Sequence, residues 1–340
     1  MFRWFALRSL DRVLCTALLL MAVFGCVGLA SLALRTDPPN FSVLNRQLIA
    51  LALGIFGFLI AARVDWRTWE RGWVAVAVVV AILMIGVLIF GARIRGVRGW
   101  FSIADVTFQP VEIAKVGLIL LQAVYFRRRA RALVHLRTVL ESAAITAAVV
   151  VPVLLQPDLG SALIIIATWL GMLLVFGLRR AHLLAIVGTA LLIVIVGWTS
   201  LLQPYQRDRV RSFLDPNRAP QGTGYNHRQA VIATGAGGLF GRGFGQGTQS
   251  QLRFLPEAQT DFLPAVVAEE FGFLGLAGAL ACVLAILLRL QGIARRCLDD
   301  FSSATVVGVG VLFGVQSFAN VAMNLGIAPV MGIPFPFVSA

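Results

Sequence analysis

The chain has 340 residues, 59% of them hydrophobic and only 13% charged, with a formal net charge of +13. Soluble domains average about 25% charged residues, so a water-soluble globular fold is excluded. The basic excess has neither aromatic interleaving nor zinc-finger spacing, which argues against a nucleic-acid partner; in so apolar a chain it reports membrane orientation instead.

Apolar runs of the roughly 17–25 residues that a bilayer requires recur along the whole length. They predict an all-α polytopic membrane protein, because helices satisfy their own backbone inside lipid. Nine spans are expected, near residues 13–34, 44–62, 73–92, 110–126, 139–155, 161–178, 181–202, 263–288 and 303–325. The first follows Arg3, Arg8 and Arg12 and exceeds the 7–15-residue core of a signal peptide, so it reads as an uncleaved helix. The fourth is short and polar-tipped. Segments on the N-terminal side hold sixteen arginines, against five in the short segments opposite: Arg35, Arg46, Arg93, Arg95 and Arg98. The positive-inside rule therefore predicts a cytoplasmic N-terminus. Residues 203–262 then form a large extracellular loop between the seventh and eighth helices.

Chemistry-bearing residues follow in chain order. "RIRGVRGWFSIADVTF" puts Arg98 and Trp100 near the outer surface, where Trp100 also fits an interfacial belt. "FQPVEIAKVGL" spaces Glu112 and Lys115 for pairing on one helix face, as a structural or a catalytic pair. "LLQPDLGSALIII" sets Asp158 at a helix start, where N-capping is one role. Beyond the seventh span, Arg207, Arg209 and Arg211 form either a headgroup-facing surface or a phosphate clamp. "ATGAGGLFGRGFGQGTQ" holds seven glycines from Gly235 to Gly247 and matches no nucleotide-binding fingerprint. Those glycines are expected to permit tight turns and close backbone approach.

"LPEAQTDFLPAVVAEE" gathers four of the 16 acidic residues. A helix starting at Pro256 would put Glu257 and Asp261 on one face at the outer boundary, with Glu269 and Glu270 about two turns deeper. Ionisable groups at that depth are functional candidates, and a partly desolvated carboxylate suits general-base work. Cys15, Cys26, Cys282 and Cys297 contain no CxxC, and His135, His182 and His227 lie far apart, so neither a disulfide framework nor a zinc site is indicated. An outward-facing enzyme needs an activated substrate delivered through the lipid; arginines and a carboxylate beside apolar helices suit a polyprenyl-diphosphate-linked donor.

Together, "RGWFSI…FQPVEIAK", "QPDLGSAL", "YQRDRVRSFLDP", "GYNHRQAVIATGAGGLFGRGF", "GTQSQLRFLPEAQTDF", "AEEFGFLG" and "PVMGIPFPFVS" resemble the SEDS proteins of bacterial shape, elongation, division and sporulation. "GTQSQL" and "MGIPFPFVS" are more similar to the RodA-like elongation branch than to the FtsW-like division branch. The resemblance implies one SEDS membrane domain over 1–340, working as a peptidoglycan glycosyltransferase that polymerises lipid II on the outer face of the cytoplasmic membrane. It also implies a class B penicillin-binding protein as partner, a divalent cation (Mg2+ or Mn2+) and no organic cofactor. Residue by residue, it puts the essential carboxylate on Asp261 and the paired charges on Glu112 and Lys115, with Trp100, Asp158 and Glu257 at further motif positions. Asp261 would act as general base in an inverting transfer, the leaving diphosphate being met by an arginine such as Arg209 or Arg98. This chain departs from the family with Gln259 in place of His, Pro264 in place of Phe and Val111 in place of Ser. The Tyr-Gly-Gly-Ser stretch and tenth helix expected after "PFVS" are missing from the sequence. An FtsW-like division polymerase, a lipid II flippase or transporter, and a noncatalytic scaffold for the penicillin-binding protein are the alternatives.

Overall fold

A computed structural model describes residues 10–94, 96–103, 106–129, 135–200, 204–215 and 223–339. Each expected span has a helix. These are α1 (Arg12–Ala33), α2 (Ser42–Ala61), α4 (Trp73–Phe90), α5 (Pro110–Arg129), α6 (Leu136–Leu155), α7 (Leu159–Val175), α8 (Arg180–Ser200), α12 (Leu263–Ala294) and α13 (Asp300–Asn324). The short helix α3 (Trp66–Arg71) precedes α4. Seven of the described helices are long and apolar enough to cross a membrane, and α7 is a shorter apolar helix of 17 residues. The polar-tipped α5 carries Glu112 and Lys115 near one end and Arg127–Arg129 at the other.

Two stretches expected as loops have structure of their own. Between α4 and α5 three strands, β1 (Ala92–Ile94), β2 (Val97–Ile103) and β3 (Val106–Phe108), pair as an antiparallel sheet, with Ala92 opposite Trp100 and Phe101 opposite Phe108. The 203–262 segment contains α9 (Pro204–Leu214), α10 (Thr223–Ala236) and α11 (Thr248–Gln251). Hydropathy marks bilayer crossings and is silent on short elements outside them, so these were not legible.

The chain divides into two compact units. The first comprises Met1–Val64, Gln203–Arg289 and Gln316–Ala340, and the second Asp65–Leu202 with Leu290–Val315. In the second, Phe126, Val139, Trp169, Met172 and Phe301 centre one apolar cluster, and Met84, Leu118, Val153 and Ile165 another. Between apolar helices in lipid, close packing and polar cross-links replace the hydrophobic drive. Accordingly a Cβ at Gly117 would stand 2.4 Å from Val80, and one at Gly171 would stand 2.4 Å from Val311. The buried amide of Gln122 donates to the Ser142 carbonyl (2.8 Å) and to Thr146 Oγ1 (2.9 Å), while the Trp169 indole donates to Ser142 Oγ (2.8 Å). These bonds tie α5, α6 and α7 together.

In the first unit, Asp11 caps α1 by accepting from the Leu14 N–H (3.1 Å) and pairs with Arg289 Nε (2.5 Å). On α10, His227 is buried edge-on to Phe213, with ring centroids 5.9 Å apart. Burial holds its pKa below the ordinary value. The folded protein thus favours neutral imidazole, a contribution present above about pH 6.5 and lost as pH falls through the lowered folded value. Thermal stability in detergent is expected to fall on acidification through that range, and His227→Gln to flatten the fall.

Candidate active site

The turn holding Asp261 departs from the expected helix. Residues 256–262 are turns, with Glu257 at φ +54°, and α12 begins at Leu263. Pro264 sets this limit: it has no N–H for the Thr260 carbonyl, and its ring would clash with that carbonyl in a continuous helix. Within the first turn of α12 the missing donor costs nothing. Glu257 and Asp261 therefore share a compact turn rather than a helix face. Its closing bonds run from the Thr260 and Phe262 N–H groups to the Glu257 carbonyl, at 3.1 and 3.3 Å. Thr260 Oγ1 also donates to Glu257 Oε2 (3.3 Å).

Asp261 is held by its backbone. Asn320 and Asn324 on α13 donate to its carbonyl through their side-chain amides, at 2.9 and 3.1 Å. Asn320 Nδ2 also donates to the Ile333 carbonyl (2.7 Å), and Gln316 Nε2 to the Pro334 carbonyl (3.4 Å). Gly332, at φ +70°, lies against the carboxylate: a Cβ there would be 3.7 Å from Asp261 Oδ2. Gln316, Asn320 and Asn324 are spaced i, i+4, i+8, a polar stripe on an otherwise apolar span. That spacing is legible in the sequence as the signal for a polar seam. Asn320→Leu removes the Asn320 donor from the Ile333 carbonyl, while the Asp261 carbonyl keeps Asn324, and is expected to cost about 1–3 kcal/mol, read as a lower Tm in detergent.

Deeper in α12 the helix is broken. Gly272 has φ +67° and ψ −164°, and the glycine-rich segment satisfies the freed backbone. Arg242 and Gly243 N–H donate to the carbonyls of Glu269 and Glu270, both at 3.0 Å. Phe273 and Leu274 N–H donate back to the carbonyls of Gly238 (2.8 Å) and Leu239 (3.2 Å). Non-helical backbone at membrane depth persists only where protein supplies such partners. The expectation of close backbone approach holds: a Cβ at Gly237 would lie 1.8 Å from the Ala268 carbonyl oxygen.

Glu269 and Glu270 are fully buried and secure the same segment. The Glu269 carboxylate accepts from the N–H groups of Gln249 (2.7 Å) and Ser250 (3.0 Å) at the start of α11. Glu270 Oε1 accepts from Ser31 Oγ on α1 and from Gln251 Nε2 (3.3 Å). The two acids thus anchor the chain leading into the Asp261 turn.

The second unit holds the remaining candidates. Glu112 and Lys115 pair at 2.7 Å, with Lys115 buried and Glu112 about half exposed. Asp158 caps α7, accepting from Ser161 N–H (3.0 Å) and Oγ (2.7 Å), as capping predicts. It also accepts from Gln109 Nε2 (3.3 Å), just before α5. Arg98 donates through Nε to the Gly91 carbonyl (3.1 Å) and through Nη2 to that of Ile89 (3.2 Å), closing the C-terminal end of α4. Trp100 lies in β2, half-buried. Arg207 and Arg211 are four apart on α9, hence on one face; the side chain of Arg209 lies outside the described residues, as do Arg3, Arg8 and Arg95.

Comparison with known proteins bears on both units. The FtsW, RodA and SpoVE family of cell cycle proteins matches residues 11–340. The chain is 36% identical over 313 residues to the peptidoglycan glycosyltransferase MrdB of Escherichia coli K12, covering 88% of this chain and 81% of that protein. It is 32% identical over 339 residues to an FtsW of Idiomarina loihiensis, covering 97% and 82% respectively. A solved chain from a peptidoglycan synthase complex that coordinates polymerization and crosslinking superposes with a TM-score of 0.83 at 31% identity, covering 97% of this chain and 92% of that one.

Proposed function

This chain belongs to the FtsW, RodA and SpoVE family of cell cycle proteins, and from that premise we propose how it works as a peptidoglycan glycosyltransferase. It polymerises lipid II into glycan strands on the outer face of the bacterial cytoplasmic membrane, with its N-terminus cytoplasmic and residues 203–262 outside. The single observation that carries this reading is a half-buried Asp261 in a turn that two asparagines fix through its backbone carbonyl.

Asp261 removes the proton from the 4-hydroxyl of the acceptor sugar. The oxygen attacks the donor's anomeric carbon as the bond from that carbon to the diphosphate oxygen breaks. Polyprenyl diphosphate leaves with the electron pair, and the anomeric centre inverts. A positioned base of this kind contributes about 10²–10⁴-fold in rate, and cationic stabilisation of the leaving group adds to it. Arg98 has two donors engaged by helix carbonyls, so we assign the leaving-group charge to Arg209 first. Glu257 and Asp261 offer the hard oxygen donors that Mg2+ or Mn2+ takes, and such an ion would neutralise diphosphate charge. Among the described residues no group of three metal-ligating side chains forms a ready cage.

A class B penicillin-binding protein is the partner we assign, supported by the likeness to a chain of a synthase complex. The RodA-like motifs "GTQSQL" and "MGIPFPFVS" favour cell elongation over division. Purified protein given labelled lipid II, with and without that partner, should yield glycan chains. Lipid translocation in liposomes without polymer would overturn the reading in favour of a flippase.

A further inference from the structure

The polymerase reading leaves one cavity of the second unit unused. It is a groove of about 440 Å3 among α4, α5 and α6, lined by Trp73, Ala81 and Ile85, by Leu121 and Arg128, and by Pro152. From Trp73 to Ile85, twelve residues of helix rise about 18 Å, slightly more than one leaflet's share of a hydrocarbon core about 30 Å thick. Trp73 opens α4 and Arg128 lies in the last turn of α5, so the groove's aromatic and cationic groups sit together at its arginine-rich end. The rest of the lining is apolar apart from Tyr125, whose hydroxyl already donates to the Thr138 carbonyl (3.0 Å) and Glu141 Oε2 (2.9 Å).

The charges at that end are unequally matched. Arg127 pairs with Glu70, and Arg129 with Glu141 at 3.7 Å. Arg128 lines the groove, is exposed, and has no carboxylate partner among the described residues. A guanidinium at an apolar cleft, beside an Arg127 already paired with Glu70 and an Arg129 that shares Glu141 with Arg137, calls for an anion that carries an apolar tail. We infer that the groove binds one acyl chain of an anionic phospholipid, with its phosphate on Arg128. Arginine holds phosphate oxygens through paired N–H donors, and Trp73 stands at the depth where indoles favour the headgroup boundary. The bound lipid would seal α4 against α6 at the membrane face.

Native mass spectrometry of the full chain released from nanodiscs of equal phosphatidylglycerol and phosphatidylcholine tests this. The wild type should retain phosphatidylglycerol preferentially. Arg128→Gln should lower the ratio of retained phosphatidylglycerol to phosphatidylcholine about fivefold, as expected for one basic residue near an anionic headgroup. Arg127→Gln, whose guanidinium is already paired, should leave the ratio unchanged. Ala81→Leu, which narrows the groove with Arg128 intact, should reduce retention of both lipids. Equal retention of the two lipids by the wild type, or a ratio that Arg128→Gln does not move, overturns the assignment.

Discussion

Asp261→Asn is expected to lower glycan polymerisation by about 10²–10⁴-fold, the contribution of a positioned general base, while the protein stays folded. The substitution preserves size and hydrogen-bonding shape but removes the ability to take a proton. The fold should survive because the bonds from Asn320 and Asn324 that fix this turn on α13 are accepted by the backbone carbonyl of Asp261, which the substitution keeps. Loss of activity with an unchanged Tm would therefore separate chemistry from structure. Glu257→Gln provides the contrast: its carboxylate accepts from Thr260 within the same turn, an acceptor role that an amide oxygen can keep, so a smaller loss is expected. Labelled lipid II and equal amounts of each variant suffice for the measurement. Undiminished polymer from the Asp261→Asn protein would sink the base assignment.

Gly241→Ala is expected to destabilise the first unit by more than about 3 kcal/mol, through left-handed backbone strain and lost buried backbone bonds acting together. Gly241 has φ +83°, and a Cβ there would lie 2.1 Å from the Glu270 carbonyl oxygen and 2.5 Å from the Phe271 nitrogen. Neither neighbour is a flexible side chain, so relief requires the loop to lift from α12. Lifting it strands the carbonyls of Glu269 and Glu270 where no water replaces the lost donors. Gly54→Ala gives the opposite expectation, since nothing lies within 4 Å of a Cβ there, and a mid-helix glycine is worth about 0.5–1 kcal/mol less than alanine. Detergent-solubilised Tm should fall sharply for the first variant and hold or rise for the second. An unchanged Tm for Gly241→Ala would show that the loop does not support the broken helix.

The Asp261 turn and the glycine loop mark the limits of reading sequence alone. The stretch from Leu255 to Glu270 is conspicuous in the sequence because carboxylates are scarce and these sit beside a span, yet the helix expected from Pro256 does not form: Pro264 is a barrier to helix upstream as well as a departure from the family. By sequence Arg98 is a charge available to phosphate, because it lies among outer arginines; in the fold, two of its donors close the end of α4. Glu269 and Glu270 could not be assigned, since the Ser31 that meets Glu270 is 239 residues away in sequence.

Sequence by itself determined the fold class, the position of each long apolar helix and the family, because hydropathy and motif are local properties and lipid tolerates few backbone solutions. Tertiary structure alone decided that Asp261 is fixed through its carbonyl, that the buried acids anchor a loop, and that the glycines mend a broken helix. Each of those depends on hydrogen bonds between segments distant in the chain, and no residue pattern records which donor will meet which acceptor.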